Sequence, residues 1–329
     1  MYPKINKLTI LIIVSLIITV IAGNNLIFGE NFSELYSSKQ TSDPRVEWEQ
    51  ISPGSAGFCK NTFYHPTDPD YIYIAPDMKN TYRSTDGARS WKSVLDNDGT
   101  DLMKYNFNKV NNMDFSRQNE NFGMAVNRFG VWITRDKGKS WRPDPRNSTD
   151  FWSDGRNFLS AVAFDPGDDS VIYVGSGNFW DQKGNHRTYD NIHGGQPNNR
   201  PRPNQGKINP GKIWKTTDGG ETWTLINDGI DPEAEIGDIY VDPVQNNILY
   251  AATTHGLYKS IDSGKSWELK NDGLDTGAIR DMDLYYDSTM EKPILYVIDQ
   301  VFWDYDDEGN IESSGGIFKS KDRGETWED

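Results

Sequence analysis

Cysteine is nearly absent from this chain: Cys59 is the only one in 329 residues, so no internal disulfide staples the fold. Its neighbours Phe58 and Lys60 belong to an expected strand, where a small packed side chain and a nucleophilic thiol are the two readings. Positive charge is also scarce. Lys and Arg number 34 against 49 Asp and Glu, a net charge of −15 that disfavours nucleic acid and anionic membranes as partners. Long apolar runs are missing everywhere except at the N-terminus.

There, Lys4 and Lys7 precede an apolar stretch at residues 8–21, broken only by Thr9, Ser15 and Thr19 and followed by Ala22 and Gly23. Charge, greasy run and small-residue exit predict a secretory signal peptide over residues 1–22, cleaved after Ala22 or, as a second site, after Gly29. An uncleaved N-terminal anchor is the alternative. Residues 23–45 have no apolar period and are expected to be a linker. The folded part is expected to begin at residue 46 and to work outside the cytoplasm, secreted or periplasmic.

Aromatic residues reach 12% with 11 tryptophans, high for so polar a chain, and they recur at fixed places. One phrase, S/T-x-D-x-G-x-S/T-W, stands at residues 84–91, 134–141, 216–223, 260–267 and 320–327. This is the Asp-box. Its aspartates, Asp86, Asp136, Asp218, Asp262 and Asp322, together with the leading hydroxyl can bond the backbone of their own tight turn. The glycine supplies a positive φ without steric cost, and the tryptophan buries a large ring against the neighbouring sheet. These aspartates are therefore structural. The first copy carries Ala88 where glycine is expected, a strain of about 1 kcal/mol.

Before each box come short alternating runs such as Ile248-Tyr250-Ala252 and Leu257-Tyr258-Lys259, preceded by runs ending in an acidic turn such as Ile239-Val241-Asp242-Pro243. One repeat reads strand, turn, strand, loop, strand, box, strand. The fold class is thus all-β, a β-propeller of four-stranded antiparallel blades spanning residues 46–329, with five blades in this chain. The box aspartates are 50, 82, 44 and 60 residues apart, so the unit is near 44 and the excess is insertion into loops of one face. Residues 46–51 (VEWEQI) resemble the segment after each box. Either residues 46–52 complete the fifth blade, or the ring is incomplete and belongs to a longer, seven-bladed protein. The second reading is preferred, because Trp327-Glu328-Asp329 begins another strand.

Asp-boxes occur in sialidases, sortilin-type receptor domains, photosystem assembly factors and family 74 glycoside hydrolases. Residues 63–83 (FYHPTDPDYIYIAPDMKNTYR) resemble the opening of the N-terminal propeller of family 74 xyloglucanases, a strand, a Pro turn, then Y-x-x-x-D-I-G-G-A-Y-R. Asp77, Tyr82 and Arg83 fall on its Asp, Tyr and Arg, while Lys79 and Asn80 replace its two glycines. The resemblance implies Asp77 as general base of an inverting glycosidase, with Tyr82 and Arg83 beside the substrate. The family's acid lies on a second propeller. A sialidase would need three arginines and an R-I-P segment in the first blade; Arg200-Pro201-Arg202-Pro203 lies in a mid-chain insertion.

Two insertions carry aromatic residues. Residues 178–211 contain Trp180, a candidate sugar platform, with His186 and His193 lacking metal-site spacing. Residues 301–312 contain Trp303 and Tyr305, also candidates for stacking on sugar. Asp304, Asp306 and Glu308 have the opening spacing of a calcium loop, but Gly315 stands where its bidentate carboxylate belongs, so a solvated hairpin tip is the default and no cofactor is expected. Asp304 and Asp306 are the in-chain acids best placed to oppose Asp77. A polysaccharide or oligosaccharide is the expected partner. The alternative is a non-catalytic, sortilin-like propeller that holds a protein or peptide.

Overall fold

The computed structural model describes residues 59–76, 81–94, 110–127, 129–149, 151–152, 159–177, 211–305 and 311–329. The expected signal peptide, linker and residues 46–52 lie outside them. The described chain is a β-propeller. The first blade is β1 (Cys59–His65), β2 (Asp68–Pro76), β3 (Tyr82–Ser84) and β4 (Lys92–Ser93), paired antiparallel in chain order. The second is β5 (Asn112–Phe115), β6 (Gly123–Asn127), β7 (Gly130–Thr134) and β8 (Arg142–Pro143); the third β9 (Leu159–Phe164), β10 (Ile172–Ser176), β11 (Ile213–Thr216) and β12 (Thr224–Leu225). The fourth is β13 (Ile236–Val241), β14 (Leu249–Thr253), β15 (Gly256–Ser260) and β16 (Glu268–Leu269). In the fifth, β17 (Ile279–Tyr285), β18 (Ile294–Tyr305) and β19 (Ile311–Ser320) form three strands. Glu328 bridges Lys319 where the outer strand stands in the other blades, as Glu268 pairs with Lys259 and Thr224 with Lys215. No helix among the described residues is long and apolar enough to cross a membrane.

The inner strands β1, β5, β9, β13 and β17 lie next to one another in chain order. The core is a series of dry seams between blades rather than one central mass. Tyr73, Phe115 and Trp132 fill the seam of blades one and two, and Tyr173, Leu249 and Trp267 that of three and four. Met282, Leu295 and Phe318 close against Tyr250 and Leu257 in the last seam. Alternation explains this: every second residue of each strand faces the preceding blade and the others the following one.

The five boxes fold alike. In the fourth, the Ser260 hydroxyl donates to Asp262 at 2.7 Å and accepts from the Gly264 N–H at 2.9 Å, while Asp262 accepts from the N–H and hydroxyl of Ser266 at 2.9 and 2.7 Å. Two successive residues adopt positive φ in every box, and the first is often not glycine: Lys137, Ser263 and Arg323 lie at 60°, 63° and 64°. Ala88 sits at φ 70°, the strained position expected of it.

The tryptophans behave less uniformly. Trp141, Trp267 and Trp327 are buried, and the last two donate their indole N–H back to the preceding blade, at Ile226 O and Lys270 O. Trp223 instead bonds its own Gly220. Trp152, from the connection between blades two and three, is buried in that seam with ring centroids 5.2 Å from Trp223 and 5.5 Å from Trp214.

Cations tie the second to fifth boxes each to the blade before it. Arg83 donates to the Gly138 carbonyl, Lys215 to Ser263 O at 3.1 Å, Lys259 to the Glu325 carboxylate at 2.6 Å, and Arg146 to the carbonyls of Gly220 and Glu221. Three of them, Arg83, Lys215 and Lys259, immediately precede the leading hydroxyl of their own box. A cation there reaches the next blade because its backbone faces the seam.

Candidate functional site

Antiparallel order divides the ring into two faces. Turns from first to second strand and the boxes from third to fourth emerge on one. Connections from second to third strand, and from each blade to the next, emerge on the other. Asp77 and Trp180 belong to connections of this second kind but lie outside the described residues, as do His186, His193, Asp306 and Glu308. Tyr82 pairs with Ile74 and Ser93 in β3, next to Arg83 and its bond to the second blade. The expected insertion at 301–312 is strand on both sides: Trp303 pairs with Ser313, Asp304 with Glu312 and Tyr305 with Ile311. On the same face His255 Nδ1 pairs with the Asp231 carboxylate at 3.2 Å. The described residues contain no group of three or more metal-ligating side chains that could hold an ion.

The described residues do bring together a set that sequence reading passed over. Asp114 of β5, Asp238 of β13 and Asp281 and Asp283 of β17 occupy inner strands around the propeller centre, with Tyr240 within electrostatic reach of all four. Asn112 donates to Asp238 at 2.8 Å across a separation of 126 residues, past the intervening inner strand β9. Asp238 also hydrogen-bonds Asp281. Two carboxylates in such contact cannot both be ionised, so the pair holds a proton.

Burial, then the Asp281 charge, keeps Asp238 well above the ordinary carboxylate range. Burial likewise raises Asp114, although its two oxygens accept from the N–H groups of Phe115 and Phe164 at 2.8 Å. Asp283 is pushed up to about 6 by burial, against the pull of its bond from the Leu284 N–H. Burial and then Asp283 raise the Tyr64 hydroxyl of β1 to about 12, and it finds no hydrogen-bond partner among the described residues. The centre is thus lined with carboxyl groups whose burial favours the protonated form, a state suited to donating hydrogen bonds or a proton. The signal was present in the sequence as acids interrupting apolar inner strands, N-M-D-F, G-D-I-Y and R-D-M-D-L.

These shifts make stability depend on pH. An aspartate with a folded pKa above its unfolded one takes up a proton on folding, so its contribution is full in acid and disappears as pH rises through about 6 for Asp283. Asp283→Asn, which keeps an acceptor for Leu284 N–H, is therefore expected to raise stability at pH 8 by about 1–2 kcal/mol and to change little at pH 4.5. Thermal unfolding at both pH values checks it; an equal shift at the two would refute it.

No protein-family model matches the chain. Xyloglucanase Xgh74A of Acetivibrio thermocellus is 22% identical over 222 residues, covering 63% of this chain and 22% of that protein, so the chain spans about a fifth of the length of that relative. An ancestral family 74 enzyme superposes with a TM-score of 0.57 at 17% identity, over 86% of this chain and 32% of its own. The family 74 xyloglucanase of Xanthomonas campestris gives 0.51 at 14% identity, over 86% of this chain and 46% of its own. The fold is that of these propellers.

Proposed function

We propose that the chain is an exported carbohydrate-active propeller of the family 74 type, a β-glucan hydrolase of xyloglucanase kind or its glycan-binding relative, working on the loop face. The likeness to xyloglucanases, in sequence over 222 residues and in fold over 86% of the chain, carries this reading. In it Asp77 is the general base, with Tyr82 and Arg83 following it in the chain and Trp180, Trp303 and Tyr305 as sugar platforms. An acidic surface suits a neutral polysaccharide and disfavours nucleic acid.

The protein should retard on xyloglucan in affinity gels. If it hydrolyses the polymer, Asp77→Asn should cut turnover by about 10²–10⁴ with the unfolding temperature unchanged. Retention without turnover would identify the binding relative. Neither retention nor turnover on any β-glucan, with capture of a peptide ligand instead, would overturn the reading in favour of a peptide-holding propeller.

A further inference from the structure

The inner strands are fastened to one another by a belt of side-chain bonds near their loop-face ends. Asn61 of β1 donates to Asn111 O, just ahead of β5. Asn111 donates in turn to Leu159 O of β9 at 2.8 Å, and the Ser160 hydroxyl donates to Ile236 O of β13 at 2.5 Å. Each of these links joins a neutral amide or hydroxyl to a backbone carbonyl of the next blade, so none of them titrates. The fourth link differs. Asp238 of β13 meets Asp281 of β17 carboxyl to carboxyl, and Asn112 reaches the same Asp238 at 2.8 Å. A hydrogen bond between two carboxyl groups exists only while one of them carries a proton.

The groups facing the pair disfavour its full ionisation. Asp114 of β5, Tyr240 of β13 and Asp283 of β17 are all acids, with Tyr64 of β1 beside Asp283, while Arg117 and His65 act on Asp114. β14 places Ala252 opposite Asp238, β18 places Ile298 opposite Asp281, and β9 brings the neutral Ser160 hydroxyl. Asp238 is buried, so two adjoining carboxylates would repel each other with little screening by water.

The fifth blade is also less enclosed than the others. Tyr250, Ala252 and Leu257, which face forward from the fourth blade, are fully buried against the fifth. Tyr296, Ile298 and Ile317 occupy the same places in the fifth blade and are only partly covered, Ile317 being 40% exposed. Its inner strand therefore depends on what the fourth blade offers.

We infer that the Asp238–Asp281 pair is a proton-operated latch: while the proton is shared the belt runs from the first blade to the fifth, and when it leaves, β17 is released from β13 while blades one to four stay fastened. The latch does not depend on the glycan reading, since it acts whatever the loop face holds.

Native-state amide exchange of the full chain, read from about pH 5 to about pH 9 and corrected for the intrinsic pH dependence of exchange, tests it. A proton bound on folding is lost as pH rises, so protection of residues 279–285 should fall about tenfold or more across that range. Residues 159–164 of β9 should keep theirs. Asp281→Asn, whose amide donates to Asp238 without a shared proton, should flatten most of the fall. Asp283→Asn, which removes the other acid of β17, should leave it in place. Ser160→Ala cuts a neutral link and should loosen residues 236–241 equally at both ends of the range. The wild-type profile and Asp283→Asn keep the latch testable should Asp281→Asn fail to fold. Flat protection of β17 in the wild type would overturn it, as would a fall that β9 shares, that Asp281→Asn leaves unchanged, or that Asp283→Asn abolishes.

Discussion

Replacing Gly229 by alanine should destabilise the protein by about 4 kcal/mol and lower its unfolding temperature by about 10 °C. Gly229 has φ 94°, and a Cβ there would lie 2.2 Å from Trp267 O. That oxygen cannot retreat cheaply, because the Trp267 N–H is tied to Asp228 O at 2.9 Å and its indole N–H to Ile226 O. Asn227 anchors the same turn from below, accepting from the Ile213 N–H and donating to Gly211 O, both at 2.8 Å. The triplet recurs as Asn271-Asp272-Gly273, where a Cβ would lie 2.2 Å from Trp327 O. Gly219 supplies the contrast. Its φ is also positive, at 70°, but nothing lies within 4 Å of its Cβ position, and other boxes carry Ser263 or Arg323 there. Gly219→Ala should cost only about 1 kcal/mol. Thermal unfolding of the two variants side by side decides the matter, and similar losses would show that backbone conformation rather than the seam contact sets the cost.

Asp262→Ala should cost about 3 kcal/mol and leave glycan binding within twofold of wild type. The change removes three hydrogen bonds at once and leaves the Ser260 hydroxyl, buried at 1% exposure, without its acceptor. The Gly264 turn then loses its closure against Ile226 and Leu249 in the seam. Binding should be spared because the boxes and the loop connections emerge on opposite faces. Denaturant unfolding and affinity gels check the two halves separately; lost binding at unchanged stability would move the box into the functional surface. The hydroxyl and N–H of Ser266, with Ser260, hold Asp262 down to about 2, so this contribution is present above the ordinary carboxylate range and lost as pH falls towards 2. Asp283 and Asp238 act in the opposite direction at higher pH, so stability should be greatest in weak acid.

Much of the fold could be read directly. The strands around Ile248, Leu257 and Ile239 and all five box turns stand where the repeat puts them, because an apolar period of two and a positive-φ turn are local properties. Less of the site could be read. Trp303 and Tyr305 stand out in the sequence as aromatic residues of an insertion, but their pairing with Ser313 and Ile311 in continuous strand depends on how two segments meet across the hairpin. The central carboxyls interrupt the apolar period of their inner strands, but which of them meet depends on the order of blades around the ring. Asp77 and Trp180 rest on resemblance and loop position alone, since both lie outside the described residues.

The chain's scarcity of cysteine and its recurring tryptophans already required a fold held by packed repeats rather than crosslinks. The sequence by itself determined the blade and its box, since every bond that closes a box spans four residues or fewer and forms wherever the phrase occurs. Tertiary structure alone decided that Trp152 joins Trp223 in its seam, that Arg83 reaches Gly138, and that Asp238 meets Asp281 and Asn112 at the centre. These partners lie 43 to 126 residues apart in the chain. Their meeting depends on how many blades intervene and how each blade packs on the next, a distance that no local period records.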